Sequence, residues 1–363
     1  MRTATISTYT TRAAAAPDAG LHTDDIVSMP DRARAWARIA RDYARPQPIR
    51  SALQLMNTVI PLAGLWTAMM LIVDHAWWAT LLLSVPAAAL TVRLFIIQHD
   101  CGHRSFFRSK RLNDILGTLI GVVTLTPHNY WRWSHNMHHT TCGNLQQRGI
   151  GDITLLTVAE YTALPWRRRL AYRIYRNPVV LLLIGPVYLF VIKYRLPLEL
   201  IRRDPKMLLG VMGTNLGIAG AFVGLGLIFG FLDLLLVQAP IVLLSCAAGV
   251  WLFYVQHQFE RTHWRDESSW DFHEASVLAS SFYDLPQPLR WFSGNIGMHH
   301  IHHLSCRIPN YRLRACMAEI PALKSINRIR LRDSLGCLRK ALWDEEAQRL
   351  VSFKTLRRGR SAA

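Results

Sequence analysis

Nine of the 15 histidines fall into three tight groups, and eight of these, all but His300, are the residues best placed to do chemistry. His99-Asp100-Cys101-Gly102-His103 sets two imidazoles at i, i+4. His135-Asn136-Met137-His138-His139 sets three at i, i+3, i+4. His299-His300-Ile301-His302-His303 repeats that spacing once His300 is set aside. On a helix these offsets bring side chains onto one face, a few ångströms apart. A neutral imidazole is a borderline ligand suited to Fe, Zn, Cu and Ni. A single i, i+4 pair is common and means little, but two H-x-x-H-H groups in one chain predict a metal site.

The number of ligands bears on which metal. Eight imidazoles exceed the four ligands, or three plus water, of a tetrahedral zinc. No H-E-x-x-H is present to supply the general base of a metalloprotease. The set is also unlike the carboxylate-bridged di-iron bundles, which depend on Glu and E-x-x-H. A bis-His haem protein would bury its ligands inside membrane spans, whereas these lie at or beyond span ends. The chemistry therefore points to a non-haem di-iron oxidase at a membrane surface.

The elements that must position these groups are helices. Stretches 52–73, 76–98, 207–230 and 232–256 are each close to the roughly 20 apolar residues that a span needs. Two more, 115–126 and 179–192, are too short: the first rises only about 18 Å as a helix against roughly 30 Å of hydrocarbon. Both read as interfacial or re-entrant. The expected fold is an all-α integral membrane protein of four spans with a His-rich helical cap. Residues 1–50 are expected to be a tail and a basic interfacial helix, 51–345 the membrane domain, and 346–363 a basic tail.

Lys and Arg outnumber Asp and Glu by 42 to 24, for a formal net charge of +18. Such an excess invites a nucleic-acid reading, but its distribution argues for a membrane. Residues 1–50 carry 8 basic residues, 99–207 carry 16 and 257–363 carry 17, while the links between spans 1 and 2 and between spans 3 and 4 carry none. Every basic residue outside the spans thus falls on one side, the positive-inside pattern. It predicts both termini and all large segments in the cytoplasm, facing anionic headgroups and not nucleic acid. Parity agrees: if 115–126 crossed, the groups at 99–103 and 135–139 would lie on opposite faces. The six cysteines form no C-x-x-C pair and read neither as a disulfide framework nor as a zinc set.

Around the His groups the runs HDCGHRSFF, TPHNYWRWSHNMHH, GDITLLTVAEY, VQHQFE and GNIGMHHIHHLSCRIPNY resemble the membrane fatty acid desaturase family, in particular its bacterial acyl-lipid members of the delta-12 type, over roughly residues 50–345. The resemblance implies that His99, His103, His135, His138, His139, His299, His302 and His303 are the catalytic, metal-holding set. It adds one further His after the fourth span, for which His257 matches and His263 is the alternative. It implies two irons, O2 as co-substrate, and two hydrogens removed from adjacent methylenes of an acyl chain in the bacterial cytoplasmic membrane. The chain carries no HPGG, no G-x-G-x-x-G and no iron–sulfur Cys cluster, so the electrons are expected from a separate ferredoxin-like or cytochrome b5-like donor. Hydroxylases and ketolases of lipids or terpenoids share similar boxes and form the rival reading. A metal transporter is disfavoured, because the spans carry Asn57, Thr67 and Asn215 but no carboxylate near a centre.

Other residues carry weaker expectations. Cys101 is expected to face away from the metals and His300 to sit off the ligand pattern. Asp100, Asn136, Asp152 and Asn295 are candidates to accept the second N–H of a ligand imidazole. Arg93 is expected to snorkel to the interface and Trp131 and Trp133 to anchor there. The run Trp166-Arg167-Arg168-Arg169, with Arg173 and Arg176, reads as a basic surface helix on lipid, with docking of an acidic electron carrier as the sharper alternative.

Overall fold

The computed structural model describes residues 28–198 and 204–360. The tail expected over 1–27 lies outside the described residues. Among the described residues, four long apolar helices form the membrane part: α2 (Pro48–Ile72), α3 (Trp77–Gly102), α9 (Pro205–Phe229) and α10 (Phe231–His257). Their starts follow from local chemistry. Proline stands in the first turn of α2 and α9, where its missing N–H costs nothing. Asp204 caps α9 by accepting from the Met207 amide at 2.9 Å. At the α9–α10 junction Gly230 adopts φ +91°, so the chain reverses within one residue.

The spans are not equivalent. In its most apolar stretch α3 is 61% buried, against 17% for α2 and α9. Span 2 is therefore the enclosed one, and its last turn carries His99 into the protein interior. Most of the side chains that α2 and α9 leave exposed are apolar, such as Ile60, Leu71, Leu216 and Leu227, as contact with hydrocarbon favours; Asn57 and Thr67 of α2 are exposed among them.

The cap follows spans 2 and 4. Helices α4 (Lys110–Val123) and α5 (His128–Thr141) come after α3, then α6 (Val158–Ala163), α7 (Trp166–Tyr175) and α8 (Val180–Lys193). Helix α4 exposes Leu112, Ile115, Leu119 and Val123 as one stripe and buries Asn113, Gly117, Ile120 and Gly121 on the other, the pattern of an interface-lying helix. Helices α7 and α8 meet at 63°, a broken span or a re-entrant segment. After α10 come α11 (Phe272–Leu278), α12 (Gln287–Phe292), α13 (His299–Leu304) and α14 (Leu313–Glu319). Among the described residues, five strands of two or three residues brace this end: β1 (Leu156–Thr157), β4 (Leu342–Asp344) and β5 (Arg349–Val351) in one sheet, β2 (Phe282–Asp284) and β3 (Arg328–Arg330) in another.

The basic N-terminal helix is α1 (Met29–Ala40). Its Ala33, Ala37 and Ala40 face is buried against Ile301, Leu304, Leu313 and Cys316 of the cap, and Arg34 pairs with Asp271 at 2.6 Å. At the other end, β5 lies beyond residue 345, with Leu350 fully buried beside Trp264 and Trp343.

Three expectations are overturned. Arg93 does not snorkel: it is 6% exposed, donates through Nε to Thr58 Oγ1 at 3.1 Å and through Nη1 to the Trp291 carbonyl, and lies 3.9 Å from the Trp291 ring centroid. The Thr58 hydroxyl of α2 and the Trp291 backbone carbonyl of α12 accept from it, and the Trp291 ring covers its face, so it is held inside the protein. Trp131 is not an anchor, since it is buried against the histidines. Arg176 leaves the basic surface run: it is 4% exposed and donates to Gln258 Oε1 at 2.9 Å and to the Lys340 carbonyl at 2.8 Å.

Candidate metal centre

The site forms where the C-terminal ends of α3 and α10 meet α5 and α13. Each box is helical, as its spacing predicts. His99 sits in the last turn of α3 with His103 as its C-cap, His135, His138 and His139 share α5, and His299, His302 and His303 share α13. Adjacent residues diverge, and this splits the constellation in two. His99, His103, His135, His139 and His302 form one cluster with ligand nitrogens within 4.8 Å of each other. Within it His139 Nε2 lies 3.1 Å from His135 Nε2 and 3.0 Å from His302 Nε2.

The second cluster contains His138, His257 and His303. His138 Nε2 is 3.1 Å from His257 Nε2 and 3.2 Å from His303 Nε2. His299 Nε2 belongs to it as well, 2.9 Å from His257 Nε2 and 3.2 Å from His303 Nε2. The Cys142 thiol is close enough to be counted here, but it faces the opposite ring nitrogen, with Sγ 3.6 Å from His257 Nδ1. Burial, and then the nearby Asp152 charge, push its pKa well above the ordinary thiol range, so it stays a neutral thiol beside the cluster. The clusters touch: His139 stacks on His303 with centroids 4.1 Å apart.

The proton arrangement tests whether a cation fits. A carbonyl only accepts, so His257 Nδ1, 3.0 Å from the Ala279 oxygen, must carry the proton. The His138 Nδ1–H likewise meets the Asp152 carboxylate at 2.5 Å. With their donors spent outward, both Nε2 atoms present bare lone pairs to each other at 3.1 Å. In the other cluster, the buried Nε2 atoms of His99 and His103 have no hydrogen-bond partner, which a folded interior seldom tolerates. Converging lone pairs about 3 Å apart are the edges of a coordination shell whose metal–nitrogen bonds are about 2.1 Å. The residues fit a pair of metal ions.

Six of the rings are also held neutral. For His103, His135, His139, His299, His302 and His303, burial first and neighbouring imidazoles second hold the pKa well below the ordinary imidazole value. A neutral imidazole is the form that donates a lone pair.

Among the candidate ring-holders, Asp100 Oδ1 lies 3.2 Å from His99 Nδ1, and Asp152 holds His138. Asn136 is exposed, and Asn295 Nδ2 donates instead to the Asn310 carbonyl at 3.3 Å, so neither touches a ligand. His263 lies outside both clusters, 3.6 Å from Glu274. His300 points away and bonds the Leu323 carbonyl at 2.8 Å. Cys101 faces Leu94, Ile97 and Phe106. The wall includes residues that the spacing rules do not single out: Trp131, stacked on His135 at 4.5 Å, and Phe253, 5.1 Å from the His138 ring. Trp131 stands one helical turn before His135, and that offset is the one signal that could have placed it.

Residues 75–325 match the fatty acid desaturase family. The chain is 46% identical to a fatty acid desaturase of Bacillus subtilis over 87% of this chain and 89% of that protein. It is 30% identical to an sn-1 acyl-lipid omega-3 desaturase (ferredoxin) of Synechocystis over 76% of each chain. It is 25% identical to an sn-1 oleoyl-lipid 12-desaturase of the same organism over 71% of this chain and 73% of that protein.

Proposed function

Because the chain belongs to the fatty acid desaturase family, an integral-membrane family of oxidoreductases, we propose that it introduces a double bond into the acyl chain of a membrane lipid, using O2 and two irons held by nine histidines. His99, His103, His135, His139 and His302 would hold one iron and His138, His257, His299 and His303 the other. The observation that carries this reading is the pair of inward-facing lone pairs on His138 and His257, 3.1 Å apart with both protons committed outward. When bound, the metal pair supplies the oxidising power needed to take hydrogen from an unactivated methylene, which no acid or base of the protein can do.

The chain's own residues do the rest. Asp100, Asp152 and the Ala279 carbonyl fix ring orientation and tautomer. Burial keeps the imidazoles of His103, His135, His139, His299, His302 and His303 neutral. Trp131 and Phe253 wall the clusters with apolar surface and keep water from the reacting carbon. Among the relatives, one is named for ferredoxin and another, of Arabidopsis, for cytochrome b5. These names support a separate donor of one of those two kinds here. The charge distribution supports the bacterial cytoplasmic membrane with both termini inside.

The test is expression in a host whose lipids are only saturated and monounsaturated, followed by fatty acid profiling and iron analysis of the purified protein. A new double bond and about two irons per chain are expected. A product heavier by one oxygen, or an active preparation holding zinc alone, would overturn the reading.

A further inference from the structure

A buried polar relay runs from the first span to the first His box. Gln54 of α2 donates from Nε2 to Asn310 Oδ1 at 2.9 Å. Asn310 donates twice to Asp100 Oδ2, from the backbone N–H at 2.7 Å and from Nδ2 at 2.8 Å, and its Nδ2 also reaches Gln54 Oε1 at 3.3 Å. Asp100 Oδ1 is left for His99 Nδ1 at 3.2 Å. Gln54 is 5% exposed, Asn310 1% and Asp100 1%. Gln54 lies in a span that is mostly open to lipid, yet it turns this amide inward. Asn310 lies seven residues beyond His303, so the loop leaving the third box closes back onto the first.

We propose that Gln54 and Asn310 are positioning residues for the metal centre: through Asp100 they fix the ring and the tautomer of His99. With Oδ2 occupied by both Asn310 donors, the carboxylate presents Oδ1 to the ring and the proton stays on Nδ1. His99 Nε2, buried and without a hydrogen-bond partner, is then a bare ligand aimed at its cluster. Such outer partners typically change metal affinity about 10–100-fold. The relay reaches only the five-histidine cluster; the other has its own carboxylate, Asp152. Its effect is therefore selective for one metal of the two.

The proposal rests on the two-metal reading above, and the experiment separates the two. The full-length protein in detergent is stripped of metal and titrated with Co2+ against a competing chelator, with the visible absorption of bound Co2+ as readout. Asn310→Ala and Gln54→Leu should weaken one Co2+ by about 10–100-fold and leave the other unchanged. Ser51→Ala is the control. Ser51 lies in the same seam, bonding the Phe106 carbonyl at 2.5 Å and Tyr311 at 3.0 Å, but does not touch Asp100, and it should leave both ions in place. Two tight ions in both variants, or equal loss from Ser51→Ala, would overturn the relay while the two-metal reading stands. Wild-type protein that binds neither iron nor Co2+ would overturn both. If Asn310→Ala does not accumulate, Gln54→Leu, which keeps both Asn310 donors, decides the matter.

Discussion

Replacing Asp152 by Asn removes a charge from behind His138 while keeping its shape. The carboxylate is almost fully buried and lies 2.5 Å from His138 Nδ1, and its other oxygen accepts from the Gly149 amide at 3.2 Å. An amide can still accept from the ring, so the geometry survives and the lost charge is what is measured. The expected loss is about 10–100-fold in affinity for the ion held by His138, His257, His299 and His303, or roughly 1.4–2.8 kcal/mol. Gly151→Ala reaches the same contact by a different route. Gly151 has φ +78°, which costs an alanine about 1–2 kcal/mol. Its Cβ would stand 2.5 Å from the Ser134 carbonyl oxygen, about 1 Å short of ordinary contact. The obstacle is backbone and cannot swing aside. If Asp152 moves by that amount, its bond to His138 stretches to roughly 3.5 Å, beyond useful hydrogen-bond range. Both variants should therefore weaken the same single ion, read by Co2+ competition, and Gly151→Ala should also lower the thermal midpoint. Two ions at wild-type affinity in both variants, or equal loss of both ions from Asp152→Asn, would refute the claim that a carboxylate tunes this cluster alone.

Four further outcomes are expected. His138→Ala and His302→Ala should each abolish double-bond formation in membranes, one from each cluster; a retained product from either would remove that residue from the ligand set. Acidification should release metal: the imidazoles of His135, His139, His302 and His303 are held neutral by burial and by one another, whereas the unfolded chain takes up protons below about pH 6.5. Stability should thus fall as pH drops below that value and stay level above it, and a midpoint flat from pH 7 to about 5 would contradict this. Arg176→Leu should destabilise the cap by on the order of 3 kcal/mol, because its bonds to Tyr254, Gln258 and Lys340 leave buried acceptors behind; a shift under about 1 kcal/mol in detergent unfolding would refute that weight. Trp131→Ala should lower turnover while leaving metal content near wild type, since the ring walls His135 and ligates nothing; intact turnover would show the wall to be dispensable.

Sequence alone determined the spans and the boxes, because both are local. An apolar run of span length has few alternatives in a bilayer, and imidazoles at i, i+3, i+4 share a face on any helix. The four spans appear within a few residues of where hydropathy predicts them. The family resemblance, carried by the strings around the boxes, added His257, which no spacing rule would pick out. What tertiary structure decided is everything that depends on residues far apart in the chain. His138 and His139 are neighbours in sequence yet face different clusters, and no helical offset predicts which joins which. Arg93 and Trp131 look like interfacial residues by composition, but their partners, Thr58, Trp291 and His135, come from other turns or other elements. Asn310 and Gln54 carry no metal-binding signature, because their role exists only once the third box folds back over the first span. A position's chemistry is written in its residue type, whereas its partner is set by packing, and at this site the partner decides which lone pair points inward.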